Sequence, residues 1–239
     1  MKSFKEVEAT RIAYHHDGAV NSVHRSSLLV PELEGARAEV SFLNHFLLKR
    51  GYQDVGCRVT AVGPDGRRVE SRLLAIDEPR VYTLALSGTF DADVSGYLIE
   101  FFTGQNLFIP FPAVMVNHVG DNYLNTVHAY NRVLNDVFED DAINGSMVEE
   151  ASIDIALQEN TDTFVVFTAG AQGCQGKVQL GLSGQSGTKR ADVDLNIARF
   201  GSREISVKEC FSTADDGDVV LTVTQPPQFM FYGRMLCGR

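Results

Sequence analysis

The sequence predicts an all-β chain of two tandem, internally repeated antiparallel β-sandwiches, and three observations carry that expectation. Short runs of β-branched and aromatic residues alternate with Gly, Asp, Asn and Pro clusters at a spacing of about 8 to 12 residues. The chain also resembles itself: with Arg58 laid on Gln179, the stretch to Val116 runs without a gap to Cys237. Finally, 44% apolar and 22% charged residues in 239 are enough to bury a core, which excludes a disordered or fibrous chain.

In the first copy, one strand is expected before the loop at Gly35, and others near 37–44, 55–62, 67–76, 81–87, 97–103 and 107–117. The turn GPDG at Gly63 to Gly66 supplies glycines that tolerate positive φ, and FDADVSG (Phe90 to Gly96) is an acidic turn before the apolar strand YLIEFF. The second copy repeats both signals, as GQSG (Gly184 to Gly187) and FSTADDG (Phe211 to Gly217) before DVVLTV. Identical pairs include Gly63/Gly184, Gly66/Gly187, Leu74/Leu195, Ile76/Ile197, Phe90/Phe211 and Gly96/Gly217. Val59/Leu180, Leu84/Ile205, Leu86/Val207 and Leu98/Val219 keep apolar character. With seven or so strands each, the copies read as immunoglobulin-like sandwiches.

A second self-match lays Phe4 to His24 on Phe108 to His128, pairing Asp17/Asp121, Asn21/Asn125 and His24/His128. The two matches differ in offset because an acidic insertion, near 131–150, separates the second copy from its opening hairpin. The expected division is therefore 1–117 for the first sandwich and 118–239 for the second. Residues 107–118 match both the start of the chain and its end, FMFYGRMLCGR, and are expected to form a strand shared or exchanged between copies. In NTVHAYNRVLNDVF, Val127, Tyr130, Leu134 and Val137 fall near a helical period; strand is expected for its first half and helix or loop for the rest.

Composition narrows the function classes. Thirty-one acids against 21 Lys and Arg give a net charge of -10, a field that repels phosphate backbones, so nucleic acid is not an expected partner. The longest apolar run, Leu107 to Val116, holds two prolines and is about half the roughly 20 residues of a spanning helix. The opening MKSFKEVEATRIAYHHDG has no apolar signal core, so a cytoplasmic protein is expected. Cys57, Cys174, Cys210 and Cys237 show no CxxC spacing and are read as reduced core residues, with a Cys210–Cys237 bridge reserved for an exported protein.

Five of the six histidines, His15, His16, His24, His118 and His128, lie in the paired hairpins DGAVNSVH and DNYLNTVH. The candidate ligand-binding residues are Asp17, Asn21 and His24 with Asp121, Asn125 and His128, and His118 beside them. Strand geometry argues against metal: residues three apart face opposite ways, so Asn21 and His24 diverge, and about 13 Å of strand separates His15 from His24. With Asp121-Asn122 as the turn, His118 faces Asn125 and Met115 faces His128. The structural reading of these residues is an Asp opening the turn, an Asn bonding backbone and a His paired across strands. His15-His16-Asp17 contains HxD but lacks the preceding strands of an iron-binding barrel, and EDDAIN (Glu139 to Asn144) lacks the alternating spacing of a calcium loop. Neither GxSxG nor a phosphate-binding glycine loop is present. Phe101, Phe102, Phe108, Phe111, Phe229, Phe231 and Tyr232 are expected in cores or in the contact between copies.

These readings converge on a non-enzymatic binding or assembly protein, with a glycan or protein ligand held by the polar hairpins and the groove between sandwiches, and with self-association allowed. No catalytic residue, metal or cofactor is assigned. The alternative is a metal-dependent enzyme with a site between copies, built from His24, His118 and His128 with a carboxylate.

Overall fold

Alternation in the sequence becomes a row of inward side chains in each strand. The computed structural model describes residues 24–103, 114–129, 150–157, 163–169, 173–211, 217–224 and 234–238. Its first half contains β1 (His24–Pro31), β2 (Ala36–Leu43), α1 (His45–Arg50), β3 (Val55–Val62), β4 (Arg68–Ala75), β5 (Val81–Ala85), β6 (Gly96–Thr103), β7 (Val114–Gly120) and β8 (Leu124–Ala129). The second contains β9 (Glu150–Leu157), β10 (Phe164–Thr168), β11 (Cys174–Gly184), β12 (Gly187–Ile197), β13 (Ser202–Ser206), α2 (Val207–Cys210), β14 (Gly217–Thr224) and β15 (Arg234–Gly238). The described residues are thus mainly strand, in four antiparallel sheets, and the all-β expectation holds.

In the first half, sheet β1-β6-β3-β4 faces sheet β5-β2-β7-β8. Ala38, Val40 and Phe42 point inward from β2, and Cys57 and Val59 from β3. Their core is closed by aromatic contacts: Phe42 meets Phe101 edge to face at 4.9 Å and stacks on Tyr82 at 5.5 Å. Phe101 is therefore core, as expected, while Phe108, Phe111, Phe229, Phe231 and Tyr232 lie outside the described residues. In the second half, Val165, Val178, Leu180, Leu221 and Val223 form a separate core.

The second half has sheet β9-β14-β11-β12 and sheet β13-β10-β15. Strand by strand, these orders match those of the first half, and β8 is the strand added to the first. Neither is the immunoglobulin order, in which the first two strands pair in one sheet. Here β1 pairs β6 and β2 pairs β7, because the chain crosses between sheets at Glu32–Gly35 instead of turning back as a hairpin. Strand spacing in the sequence carries the strands and turns, but not this choice of partner.

The gapless self-match survives in packing. Val59 and Leu180, Ile76 and Ile197, Leu86 and Val207, and Phe90 and Phe211 occupy the two cores in pairs. It fails at Leu98 and Val219: Leu98 lies on the outer side of its sheet against Val62 and Phe200, whereas Val219 packs on the second core. A slip of one residue reverses a strand's faces, so the match is out of step there. The expected boundary at 117 and 118 falls within β7, which pairs with β2 and β8, both of the first half. Residues 130–149, expected as helix or loop with an acidic insertion, lie outside the described residues.

The halves meet at two apolar contacts. Leu33, Ala36 and Val127 pack on Phe164 and Val166 of β10, and Leu29, Val62 and Leu98 pack with Phe200. Cys57, Cys174 and Cys210 are free thiols, and burial, with Glu100 nearby, pushes the Cys57 thiol up to about 12. Glu100 is itself buried on the outer side of β6, where Arg58 of β3 meets it at 2.6 Å.

Candidate functional site

Four of the expected site residues sit on the β7–β8 hairpin, and the period of two decides where each points. Gly120 N–H donates to Tyr123 O at 2.9 Å and closes the turn that exposes Asp121. The register is the expected one: His118 opposes Asn125 and Met115 opposes His128. Val114, Val116 and His118 face inward from β7, so Met115 and Asn117 face outward.

On the inner side His118 is fully buried. Its Nε2 lies 3.0 Å from Pro31 O, and since a carbonyl only accepts, Nε2 carries the proton. Nδ1 is then a lone pair, with no hydrogen-bond partner among the described residues. Burial lowers the pKa of the ring, against smaller opposing effects from the Pro31 carbonyl and from Glu32. The Glu32 carboxylate accepts from Ser87 Oγ at 2.8 Å, and Ser87 Oγ accepts from Ala38 N–H at 2.7 Å. The Tyr97 hydroxyl also donates to Glu32; burial first, then this carboxylate, holds its proton far above the usual phenol range. Serine gives its proton to Glu32 and histidine bonds a backbone carbonyl, so these groups form no serine–histidine relay. What they do is pin the crossing from β1 to β2 against β6 and β7.

The outer side is different. Asn117 Nδ2 donates to Glu39 Oε1 at 3.0 Å, and Thr126 Oγ1 donates to Asn117 Oδ1 at 2.8 Å. Both are cross-strand neighbours, so one chain of hydrogen bonds runs over β2, β7 and β8. Leu124 and His128, two residues to either side of Thr126, share its face and are exposed. Glu39, Asn117 and Thr126 were not singled out in the sequence. Alternation in LNTVH does place Leu124, Thr126 and His128 on one face, but the link to Glu39 needs the β2–β7 register.

The hairpin therefore divides its candidates. His118 and Asn125 lie on the inner side, His128 on the outer side and Asp121 at the tip. His24 opens β1, opposite Thr103 in the other sheet, and Asp17 and Asn21 lie outside the described residues, as do His15 and His16. Of the residues of the alternative site, His118 and His128 lie on opposite faces of one ladder, so the structure does not bring these two together. No three His, Cys, Asp or Glu side chains converge as a metal site among the described residues. No helix among them is long and apolar enough to cross a membrane. No family model matches the chain, and no curated protein or solved structure matches it significantly.

Proposed function

We propose that the protein is a non-enzymatic binding or assembly protein that takes a glycan or protein ligand on the outer face of sheet β5-β2-β7-β8. The observation that carries this reading is the hydrogen-bonded row Glu39–Asn117–Thr126, flanked by the exposed Leu124 and His128. Side chains already held in one arrangement lose little freedom when a partner docks, so most of each new contact appears as affinity. A polar row beside one apolar side chain suits sugar hydroxyls or the polar rim of a protein partner.

The same reading takes the halves as tandem copies of one module, with immunoglobulin-like describing their two-sheet build and not their strand order. The matching strand orders and the paired core positions support it. Free thiols at Cys57, Cys174 and Cys210 support placement in a reducing compartment such as the cytoplasm.

The test is binding of the full chain to glycan and protein arrays, beside Asn117→Ala and His128→Ala. Each variant is expected to weaken binding by about tenfold, close to 1.4 kcal/mol, while remaining folded at the temperature of the assay. Turnover of a substrate that disappears on replacing His128 would overturn the proposal, as would one zinc, iron or manganese ion per chain lost in that variant.

A further inference from the structure

β4 is an edge strand whose free side is built to meet itself. It pairs with β3 along one side and with no described strand on the other. Charges and a bulge commonly blunt such an edge, and β4 has both, in Arg68, Glu70 and Arg72 and in the register shift opposite Val62, yet it still exposes Leu73 at 69%. Arg72 lies over the Phe90 ring and Leu74 packs on the first core, so the even-numbered side chains face inward. Ser71 and Leu73 face outward, while the alternation stops at Val69, where the ladder slips.

Backbone direction follows from one bond. Ile76 N–H donates to Val55 O at 2.8 Å, so the pair 55/76 is hydrogen-bonded. Hydrogen-bonded pairs recur at every second residue, which turns the backbone groups of Glu70, Arg72 and Leu74 toward β3. Those of Ser71 and Leu73, within the regular part of the ladder, point to the open edge.

We propose that β4 pairs antiparallel with β4 of a second copy about a two-fold axis at Ser71, joining two four-stranded sheets into one. Opposed residues share a face, so the axis must pass through a residue. About Glu70, that residue would meet its own copy and Arg68 would meet Arg72. About Arg72, two guanidinium groups would meet. About Ser71, Glu70 opposes Arg72 on both sides of the axis, so the ion pair these residues already make within one strand, at 3.4 Å, extends across the seam. The charge pairs then fall at the narrower, non-hydrogen-bonded positions, where side chains are closest, and the open-edge groups of Ser71 bond those of its copy. Registers centred further out overlap less of the strand. β12 holds the same place in the second half, but its outward side chains include Arg190, Asp192 and Asp194, and its exposed face carries no large apolar residue.

Sedimentation velocity on the full chain, from low micromolar to several hundred micromolar, tests this. The expected result is a concentration-dependent species of twice the 26.3 kDa chain mass. Glu70→Arg and Arg72→Glu are each expected to raise the dimer Kd by about tenfold or more, since each sets like charges opposite one another. Combining them restores complementarity and the dimer. Ser71→Cys provides an independent reading: opposed Cα atoms about 5.5 Å apart are within disulfide reach, so mild oxidation is expected to give a covalent dimer. A wild type that stays monomeric throughout overturns the proposal. So does a dimer indifferent to both charge reversals, or one that the combined variant fails to restore.

Discussion

Only a neutral imidazole suits the surroundings of His118: Nε2 donates to a backbone carbonyl, and a second proton on buried Nδ1 would find no acceptor there. Its pKa in the fold is lowered, so on acidification the unfolded chain takes up this proton first. Stability is therefore expected to fall as pH drops below about 6.5, the unfolded value, and to go on falling until the lower folded value is reached. The slope from this one group is at most about 1.4 kcal/mol per pH unit. His118→Gln keeps a donor for Pro31 O and should remove that part of the slope, as measured by urea denaturation between pH 7.5 and 5.5. Equal slopes in the two proteins would show that His118 does not titrate on unfolding. The turn at Asp121-Asn122 already set His118 opposite Asn125. That the ring is buried was not legible, because Pro31, which it bonds, and Ala38, its neighbour on β2, are far away in the sequence.

At the scale of elements, α1 fills the gap between the strands expected near 37–44 and 55–62, where the sequence marks no element. Asn44 and Gly51 bracket it as N-cap and left-handed C-cap, and six residues are too few to show a helical period. The side chain of Asn44 is fully buried and fully used: Oδ1 accepts from Leu47 N–H at 3.1 Å, while Nδ2 donates to Ile76 O at 3.2 Å and Glu78 O at 3.0 Å. Asn44→Ala should therefore cost more than an exposed cap, about 2 to 4 kcal/mol by urea denaturation, because it strands two carbonyls as well as one N–H. A loss under about 1 kcal/mol would mean that water replaces the amide. Strands were more legible than this helix. β13 stands where the self-match with β5 puts it, and β14 spans the residues matched to β6 but with its faces reversed, since turn residues mark strand ends and not register. Which strands pair was not legible, because β1–β6 and β2–β7 contacts leave no local mark.

At the scale of the whole molecule, the junction between halves rests on a few groups, and Gly66 is one of them. Its φ is +76°, and a Cβ there would press on the backbone oxygen of Arg199, across the junction. Gly88 has nearly the same backbone, φ +73°, with open space around it. Gly88→Ala should cost only the left-handed strain, about 1 kcal/mol. Gly66→Ala adds the displacement of Arg199 and is expected to cost about 2 to 4 kcal/mol, splitting one calorimetric transition into two. Equal losses in the two variants would show that the contact yields freely.

The crossing held by Glu32 and His118 also sets a timetable. During synthesis β1 and β2 leave the ribosome long before β6 and β7, the strands that pair with them. With roughly 80 residues between β1 and the end of β6, and synthesis at about 5 to 20 residues per second, β1 waits about 4 to 16 s for its partner. Until then β1 has no partner and β2 has only β5, and those incomplete edges are what a chaperone at the tunnel exit meets first.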